Sequence, residues 1–236
     1  MVEANGNPPV PEQLYHTTLT VEEFHEDASY STKESYVLGT HTTISGAKAF
    51  ALEVLTHMDY KPGDFAEYAT CLDTPSESWK HGDSVVVYAR THTGYEFLVG
   101  LAAKPNTGSL PAGTDGTLLL PKGIDHLHYV LQNKTDYNQD RSDTYQTTEI
   151  VGCYLQRAEA LAAAKAVLRA DCREYAQYDE RDDMDQAGEW PFGEEVVIHA
   201  VAQTGENFTV AIKTAKDAYK KYRKNVGLGR QGCGMK

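Results

Sequence analysis

The chain has 236 residues, of which 41% are hydrophobic and 24% are charged, and its formal net charge is −12. This composition is typical of a packed globular protein and excludes a disordered one, and no stretch has the apolar length of a membrane span. Because an acidic surface repels phosphates, nucleic acid and anionic membranes are not expected partners of the main body.

Five segments follow one another along the chain. Residues 1–12 are rich in Pro and Asn and predict a disordered N-terminus. A first α+β repeat covers 13–103, a Pro/Gly-rich linker covers 104–125, and a second α+β repeat covers 126–218. Residues 219–236 form a basic C-terminal tail.

The two repeats match each other in sequence. The runs Tyr36–Thr40 and Ala47–Leu55 recur as Glu149–Cys153 and Ala160–Leu168, at an offset of 113 residues. After a slip of two residues the match resumes at an offset of 111 and continues to the last predicted hairpin. A constant offset over this length is not expected by chance, so the folding unit is about half of the chain.

Each repeat has the pattern β-β-α-β-β. The helix is indicated by apolar residues, mostly alanines, at steps of three and four. The hairpin that ends each repeat is indicated by apolar runs around a Thr-Gly turn. A short second helix is predicted between helix and hairpin, at 64–70 and 173–180. The first two strands of the repeats are predicted at 14–20 and 35–42, and at 127–133 and 148–155.

The expected fold class is α+β, with two tandem β-β-α-β-β units, each a helix packed on a small, mostly antiparallel sheet. A sheet that is covered on one face leaves its other face exposed. Two such units either bury those faces together or join their edge strands into one continuous sheet. We expect them to form a pseudo-two-fold pair.

Three segments of the second repeat carry a resemblance. Tyr129–Gln132, Glu149–Tyr154 and Ala158–Lys165 resemble a short, uncharacterised microbial α+β domain, in the tandem form found in filamentous fungi. The resemblance covers the first half of each repeat and depends on structural residues. It implies a tandem-repeat α+β protein and brings no activity, substrate or catalytic residue with it.

The last hairpin of each repeat holds the candidate site residues. Tyr88 and His199 occupy equivalent positions, and if they face the open side of the sheet they line a shared cleft between the repeats. A histidine beside a carboxylate there could do acid–base work. The alternative is an interfacial Tyr and His that hydrogen-bond across the pair. The candidate binding residues at this seam are Tyr88, Arg90, His92, His199 and Gln203.

Two other patterns fall short of a metal site. The loop Asp136–Asp143 has oxygen ligands at alternate positions but lacks the glycine and the final glutamate of a calcium loop. His126 and His128 share one face of a strand, without a third ligand nearby in sequence. Dinucleotide and phosphate-loop motifs are also missing, so the sequence predicts no metal, no cofactor and no catalytic residue.

Charge is placed unevenly along the chain. The run from Lys213 to Lys236 carries a net charge of +7, which leaves about −19 on the rest. Such a run is typical of a solvated helix end and a frayed terminus, with RNA or lipid contact as the alternative. The N-terminus has no apolar signal core and the four cysteines show no CxxC spacing, so a cytoplasmic location is expected.

The leading functional hypothesis is a non-enzymatic cytosolic binding or assembly protein. It presents a duplicated α+β scaffold to a protein partner or to a second copy of itself. The residues that match between the repeats are structural, and they include no common group of polar side chains that could form a site. This favours the hypothesis. The alternative is an enzyme or small-molecule binder with one asymmetric site at the seam between the repeats. A deep seam pocket that holds His199 or Tyr88 beside a carboxylate favours the alternative, and a flat, exposed apolar strip favours the scaffold.

Overall fold

The chain folds as two five-stranded antiparallel sheets and three helices. The structure is a computed structural model that describes residues 8–24, 31–137, 145–182, 184 and 190–224. In the first unit the order along the chain is β1 (Gln13–Phe24), β2 (Ser31–His41), α1 (Ile44–His57), β3 (Phe65–Thr70), β4 (Val85–Thr91) and β5 (Tyr95–Pro105). In the second unit it is β6 (His128–Thr135), β7 (Gln146–Tyr154), α2 (Arg157–Val167), β8 (Tyr175–Glu180), β9 (Val196–Ala202) and β10 (Asn207–Lys213), and α3 (Ala215–Tyr222) follows.

The two sheets have the same topology. The strand order is β2-β1-β5-β4-β3 in the first sheet and β7-β6-β10-β9-β8 in the second, and all neighbours are antiparallel. Each strand therefore occupies the place of its sequence equivalent in the other unit. The α+β class is confirmed, and the fold has two similar sheets.

The predicted β-β-α-β-β pattern lacks one strand in each unit. The segments expected to form a short second helix are the edge strands β3 and β8, which pair with β4 and β9. Alanine and glutamate, which favour helix over strand, made these segments look helical. Pairing with the neighbouring strand overrides that local preference, so each unit is β-β-α-β-β-β.

The helices cover the outer faces of the sheets. In α1 the stripe Ala47, Ala51, Val54 and Leu55 is buried against the first sheet, and Thr43 caps the helix by accepting the Gly46 N–H at 3.2 Å. In α2 the small residues Ala160 and Ala164 are fully buried on the second sheet. Small side chains on this face allow each helix to lie close to its sheet.

The inner faces of the two sheets pack against each other. Of the two arrangements open from the sequence, the structure has the one that buries faces. The result is a layered α/β/β/α molecule with three hydrophobic cores: one under α1, one under α2 and one between the sheets. The buried residues of the core between the sheets are Leu14, Val37, Leu110, Leu127, Tyr129, Leu131 and Ile150.

The C-terminal helix α3 follows the second unit but packs on the first. Ala218 and Tyr222 enter the core beneath α1, and the Tyr60 hydroxyl donates to the Tyr222 carbonyl at 3.0 Å. The helix begins after Thr214, whose backbone N–H and hydroxyl both donate to Asp217. The boundary predicted at residue 218 therefore falls inside this helix.

The sheet of the second unit has no counterpart of α3 among the described residues, and its sequence reflects the difference. Leu38 in the first unit is 4% exposed, whereas its equivalent Val151 is 38% exposed. Three further apolar or aromatic positions of β1 and β2 are polar in β6 and β7. The pairs are Leu19 and Gln132, Val21 and Lys134, and Tyr36 and Glu149.

Basic residues near the C-terminus form ion pairs within the molecule. Within the described residues, five of its side chains form ion pairs with acids of the body. The pairs are Lys213–Glu195, Lys216–Asp125, Lys221–Glu34, Arg223–Asp59 and Lys224–Asp64. Three of these pairs, those of Lys221, Arg223 and Lys224, join α3 and the residues after it to acids of the first unit. Residues 225–236 lie outside the described part of the chain.

The linker packs along the core between the sheets. Leu110 and Ala112 are buried, and Leu118 and Leu120 pack against that core. Its backbone also binds the N-terminal segment, since the Ala112 N–H donates to the Pro9 carbonyl at 2.7 Å. Residues 1–7 of the segment predicted to be disordered lie outside the described residues. No helix in the described ranges has the length and apolar character needed to cross a bilayer.

Candidate functional site

Two clefts flank the line along which the sheets meet. We name them the hydroxyl cleft and the charged cleft after their lining side chains. Their volumes are about 430 Å³ and about 500 Å³, respectively. Both are built from both units. The hydroxyl cleft is lined chiefly by Thr18, Thr20, Ser35, Ser84, Ala102, Lys104, Thr148 and Glu149. The charged cleft is lined chiefly by Lys33, Glu34, Tyr36, Asn133, Gln146, Phe192, Glu195, Thr209, Lys213 and Lys221.

The clefts occupy equivalent places but differ in chemistry. Thr20 of the hydroxyl cleft corresponds to Asn133 of the charged cleft, which is an exchange of one polar group for another. Two other exchanges introduce charge, because Ser84 corresponds to Glu195 and Ala102 corresponds to Lys213. These exchanges place an ion pair at two positions that are uncharged in the hydroxyl cleft, which has an ion pair of its own at other positions, Lys104–Glu149 at 2.9 Å.

Glu34 is the most heavily hydrogen-bonded carboxylate of the charged cleft. Its Oε2 accepts from the hydroxyls of Tyr36 at 2.7 Å and Tyr222 at 3.0 Å, and its Oε1 accepts from Lys221 at 2.6 Å. Burial alone raises the pKa of Glu34, but the hydrogen bonds from Lys221 and Tyr36 outweigh burial and lower it. This carboxylate is ionised and fully engaged, and it joins β2 to α3.

Lys213 and Glu195 form a second charged pair in this cleft. Lys213 Nζ lies 3.3 Å from Glu195 Oε2 and 4.0 Å from the centre of the Tyr36 ring, and its side chain is only 8% exposed. Burial raises the pKa of Glu195; the Lys213 ammonium opposes this shift and Asp217 adds to it. The pair thus combines desolvation with specific charged neighbours inside a cleft, which is typical of functional sites.

Tyr88 and His199 lie at the centre of two equivalent aromatic groups. The Tyr88 ring stacks on His81 at 3.8 Å, and Trp79 meets His81 edge-on. In the second unit the His199 ring stacks on Phe192 at 3.9 Å, and Trp190 meets Phe192 edge-on. The loop before each hairpin therefore folds over the inner face of its own sheet and covers these positions.

Both residues have a carboxylate neighbour. His199 Nδ1 lies 3.6 Å from Asp179 Oδ2, which is beyond hydrogen-bond distance, and this nitrogen is buried. Burial and a hydrogen bond to Glu96 raise the pKa of Tyr88 to about 12. Neither side chain is part of the lining of the charged or the hydroxyl cleft. His199 reaches the charged cleft only through Phe192, which lines it.

The other three candidates lie on the last hairpins. Arg90 is exposed and pairs with Glu67 at 3.3 Å, while His92 and Gln203 are exposed turn residues. The structure does not bring the five candidates together in one cleft. A binding role for them stays a prediction.

The two metal-ligand patterns have different outcomes. The rings of His126 and His128 lie 4.9 Å apart, and the His126 ring also contacts Asp125 at 2.5 Å. Among the residues that the structure describes, no group of three His, Cys, Asp or Glu side chains is arranged to hold a metal ion. Most of the candidate calcium loop falls on residues 138–144, outside the described part of the chain.

Sequence reasoning missed the charged cleft. In sequence, Lys213 is the first residue of the basic run, which predicts a solvent-exposed side chain. The available signal is strand alternation, because Thr209, Ala211 and Lys213 share one face of β10, and that face points to the seam. Comparison of the repeats gives a second signal, since Lys213 replaces an alanine.

No protein-family model, curated protein or solved structure matches this chain.

Proposed function

We propose that this protein binds a small polar molecule in the charged cleft at the seam between its two units. The observation that carries the proposal is the ion pair between the buried Lys213 and the partly exposed Glu195, at positions where the other cleft has alanine and serine. A buried ion pair is weak support for stability, because desolvation offsets the attraction of the charges. Its position in a cleft of ligand size supports a role in binding.

The proposal includes a pseudo-two-fold arrangement of the units. Equal strand orders and contacts between equivalent residues support it: Ser35 with Thr148 through their hydroxyls, and His16 with Tyr129 through their rings. A symmetric pair has two equivalent clefts, and divergence after duplication can specialise one of them. The result is one asymmetric site at the seam, as in the alternative functional hypothesis from the sequence.

Binding of a protein partner or of a second copy stays a prediction. The pairing of the two units inside one chain already supplies the kind of interface that a homodimer of single repeats would have. The proposal of a cytoplasmic binding protein is compatible with either kind of ligand, and the charged cleft favours the small one.

The test is a screen of small polar metabolites by ligand-observed NMR on the intact protein. The matched variant is Lys213→Ala with Glu195→Ser, which gives the charged cleft the residues of the hydroxyl cleft. Both charges are removed together because a single removal leaves its partner buried and unpaired. Thr18→Val, in the hydroxyl cleft, is the control.

We expect at least one compound to bind the natural protein and the Thr18→Val control, and to lose binding in the double variant. Thermal melting of the double variant checks that it remains folded. Compounds that bind all three proteins equally, or no binding compound in a broad screen, would contradict the proposal.

A further inference from the structure

The charged cleft contains three lysines and several carboxylates, and most of these groups are already engaged. Lys33 pairs with Glu22 at 2.6 Å, and Lys221 pairs with Glu34, which also accepts two tyrosine hydroxyls. These groups shape the cleft wall. They have little capacity left for a ligand.

Lys213 and Glu195 differ from these groups. An ammonium has three N–H donors, and the contacts of Lys213 within the described residues are one carboxylate oxygen at 3.3 Å and the face of Tyr36. A carboxylate has about four lone-pair sites, and the charged contact of Glu195 is this same lysine. Both groups line the cleft, so each can bind a further partner there without leaving the other.

The charges of the pair restrict the ligand. A simple anion that approaches Lys213 also approaches Glu195, and Glu34 and Asp217 add negative charge beside it. A simple cation that approaches Glu195 meets Lys213 in the same way. A molecule that carries both an anionic and a cationic group meets an opposite charge at each end, which is electrostatic complementarity.

We infer that the ligand of the charged cleft is a small zwitterion of the amino-acid or short-peptide class. Its carboxylate binds Lys213 and its ammonium binds Glu195. Asn133 and Thr209 line the same cleft, further along the sheet face that carries Lys213, and supply hydrogen bonds to the rest of the ligand, and Phe192 provides an apolar wall. This inference rests on the proposed binding function and specifies its ligand.

The experiment uses calorimetric titration of the full chain with dialanine, N-acetyl-dialanine and dialanine amide. N-acetylation removes the ammonium and amidation removes the carboxylate. We expect dialanine to bind at least tenfold more tightly than either blocked form. Equal affinities of the three compounds would overturn the inference.

Two single variants assign the ends of the ligand. Glu195→Gln and Lys213→Gln each remove one charge but keep a hydrogen-bonding group next to the remaining partner. In Glu195→Gln we expect N-acetylation to have no further effect, and in Lys213→Gln we expect amidation to have no further effect. If either variant fails to fold by circular dichroism, the comparison of the three compounds on the natural protein still decides the question.

The two proposals can fail separately. If uncharged compounds from the metabolite screen depend on Lys213 and Glu195 while dialanine does not bind, the zwitterion inference is wrong and the small-molecule function stands. If no compound depends on this pair, both are wrong.

Discussion

Thr148 and Ser35 share a hydrogen bond across the seam, with 3.1 Å between the two hydroxyl oxygens. The two residues occupy the same position in their units, 113 residues apart. Contact between equivalent residues occurs where a two-fold axis passes through an isologous interface. Further hydrogen bonds extend from this contact into each unit. Ser35 also bonds Thr20 at 3.0 Å, and Thr148 bonds Asn133 at 2.7 Å. This chain of side chains runs between the two clefts and joins their walls.

A double-mutant cycle on Ser35→Ala and Thr148→Val measures the coupling across the seam. We expect an interaction free energy of about 0.5–1.5 kcal/mol, the usual net value of one hydrogen bond, from urea denaturation. Thr91→Val combined with Thr148→Val is the control, because Thr91 bonds Thr93 and Tyr95 in another part of the first sheet. Additive effects in the Ser35–Thr148 cycle would show that the seam contact is absent in solution.

The close approach of α2 to its sheet predicts a difference between two alanines of the same helix. Ala164 is fully buried and Ala162 is exposed. Replacement of Ala164 by leucine overfills the core and is expected to destabilise the protein by about 1–3 kcal/mol. Ala162→Leu is expected to change the free energy of unfolding by less than about 0.5 kcal/mol. Thermal melting of both variants checks the placement, and equal melting temperatures would contradict it.

The docking of α3 on the first unit predicts an effect that is confined to one half of the molecule. Tyr222→Ala removes a buried ring that contacts Tyr36 and Phe97, and its expected cost is about 3 kcal/mol. Lys220→Ala, on the exposed side of the same helix, is the control. Hydrogen exchange should increase in β2 of the Tyr222 variant and stay unchanged in β7. Equal increases in both strands would argue against the placement of α3.

Much of the fold could be predicted because the same sequence pattern occurs in both repeats. A pattern that is weak in one repeat gains support when it recurs at a fixed offset in the other. Gly39 of the first repeat, for example, corresponds to Gly152 of the second. The missing strands are short and lie at sheet edges, where Ala66 and Glu67 favour helix locally. Edge strands depend on pairing with a neighbour, and that information lies elsewhere in the chain.

The candidate site was harder to predict because burial decides it. Lys213 looks like a solvent-exposed residue next to Lys216 and Lys220, and only the packing of the second unit against the first buries it. Glu195 follows a turn, where an acid is unremarkable. Tyr88 and His199 are residue types that often act in functional sites, but each is stacked under a loop of its own unit.

His16 predicts how stability depends on pH. It is 1% exposed in the seam, accepts or donates one hydrogen bond with Thr40 at 2.8 Å, and packs edge-on against Tyr129. Burial lowers the pKa of His16 from 6.5 to about 4, and Lys104 and His41 add to the shift. Between these two values the unfolded chain binds a proton that the folded protein does not bind. The stability that a neutral His16 contributes is therefore complete above pH 6.5 and is lost as the pH falls toward 4.

The expected loss from His16 is at most about 1.4 kcal/mol per pH unit and about 3 kcal/mol in total. His16→Gln keeps a partner for Thr40 but does not titrate, so its free energy of unfolding should fall less than that of the natural protein between pH 7 and 4. His92→Gln, at an exposed turn, should follow the natural protein. Urea denaturation at several pH values makes the comparison. Parallel curves for His16→Gln and the natural protein would mean that folding does not lower the pKa of His16, which would contradict the burial of its imidazole between the two units.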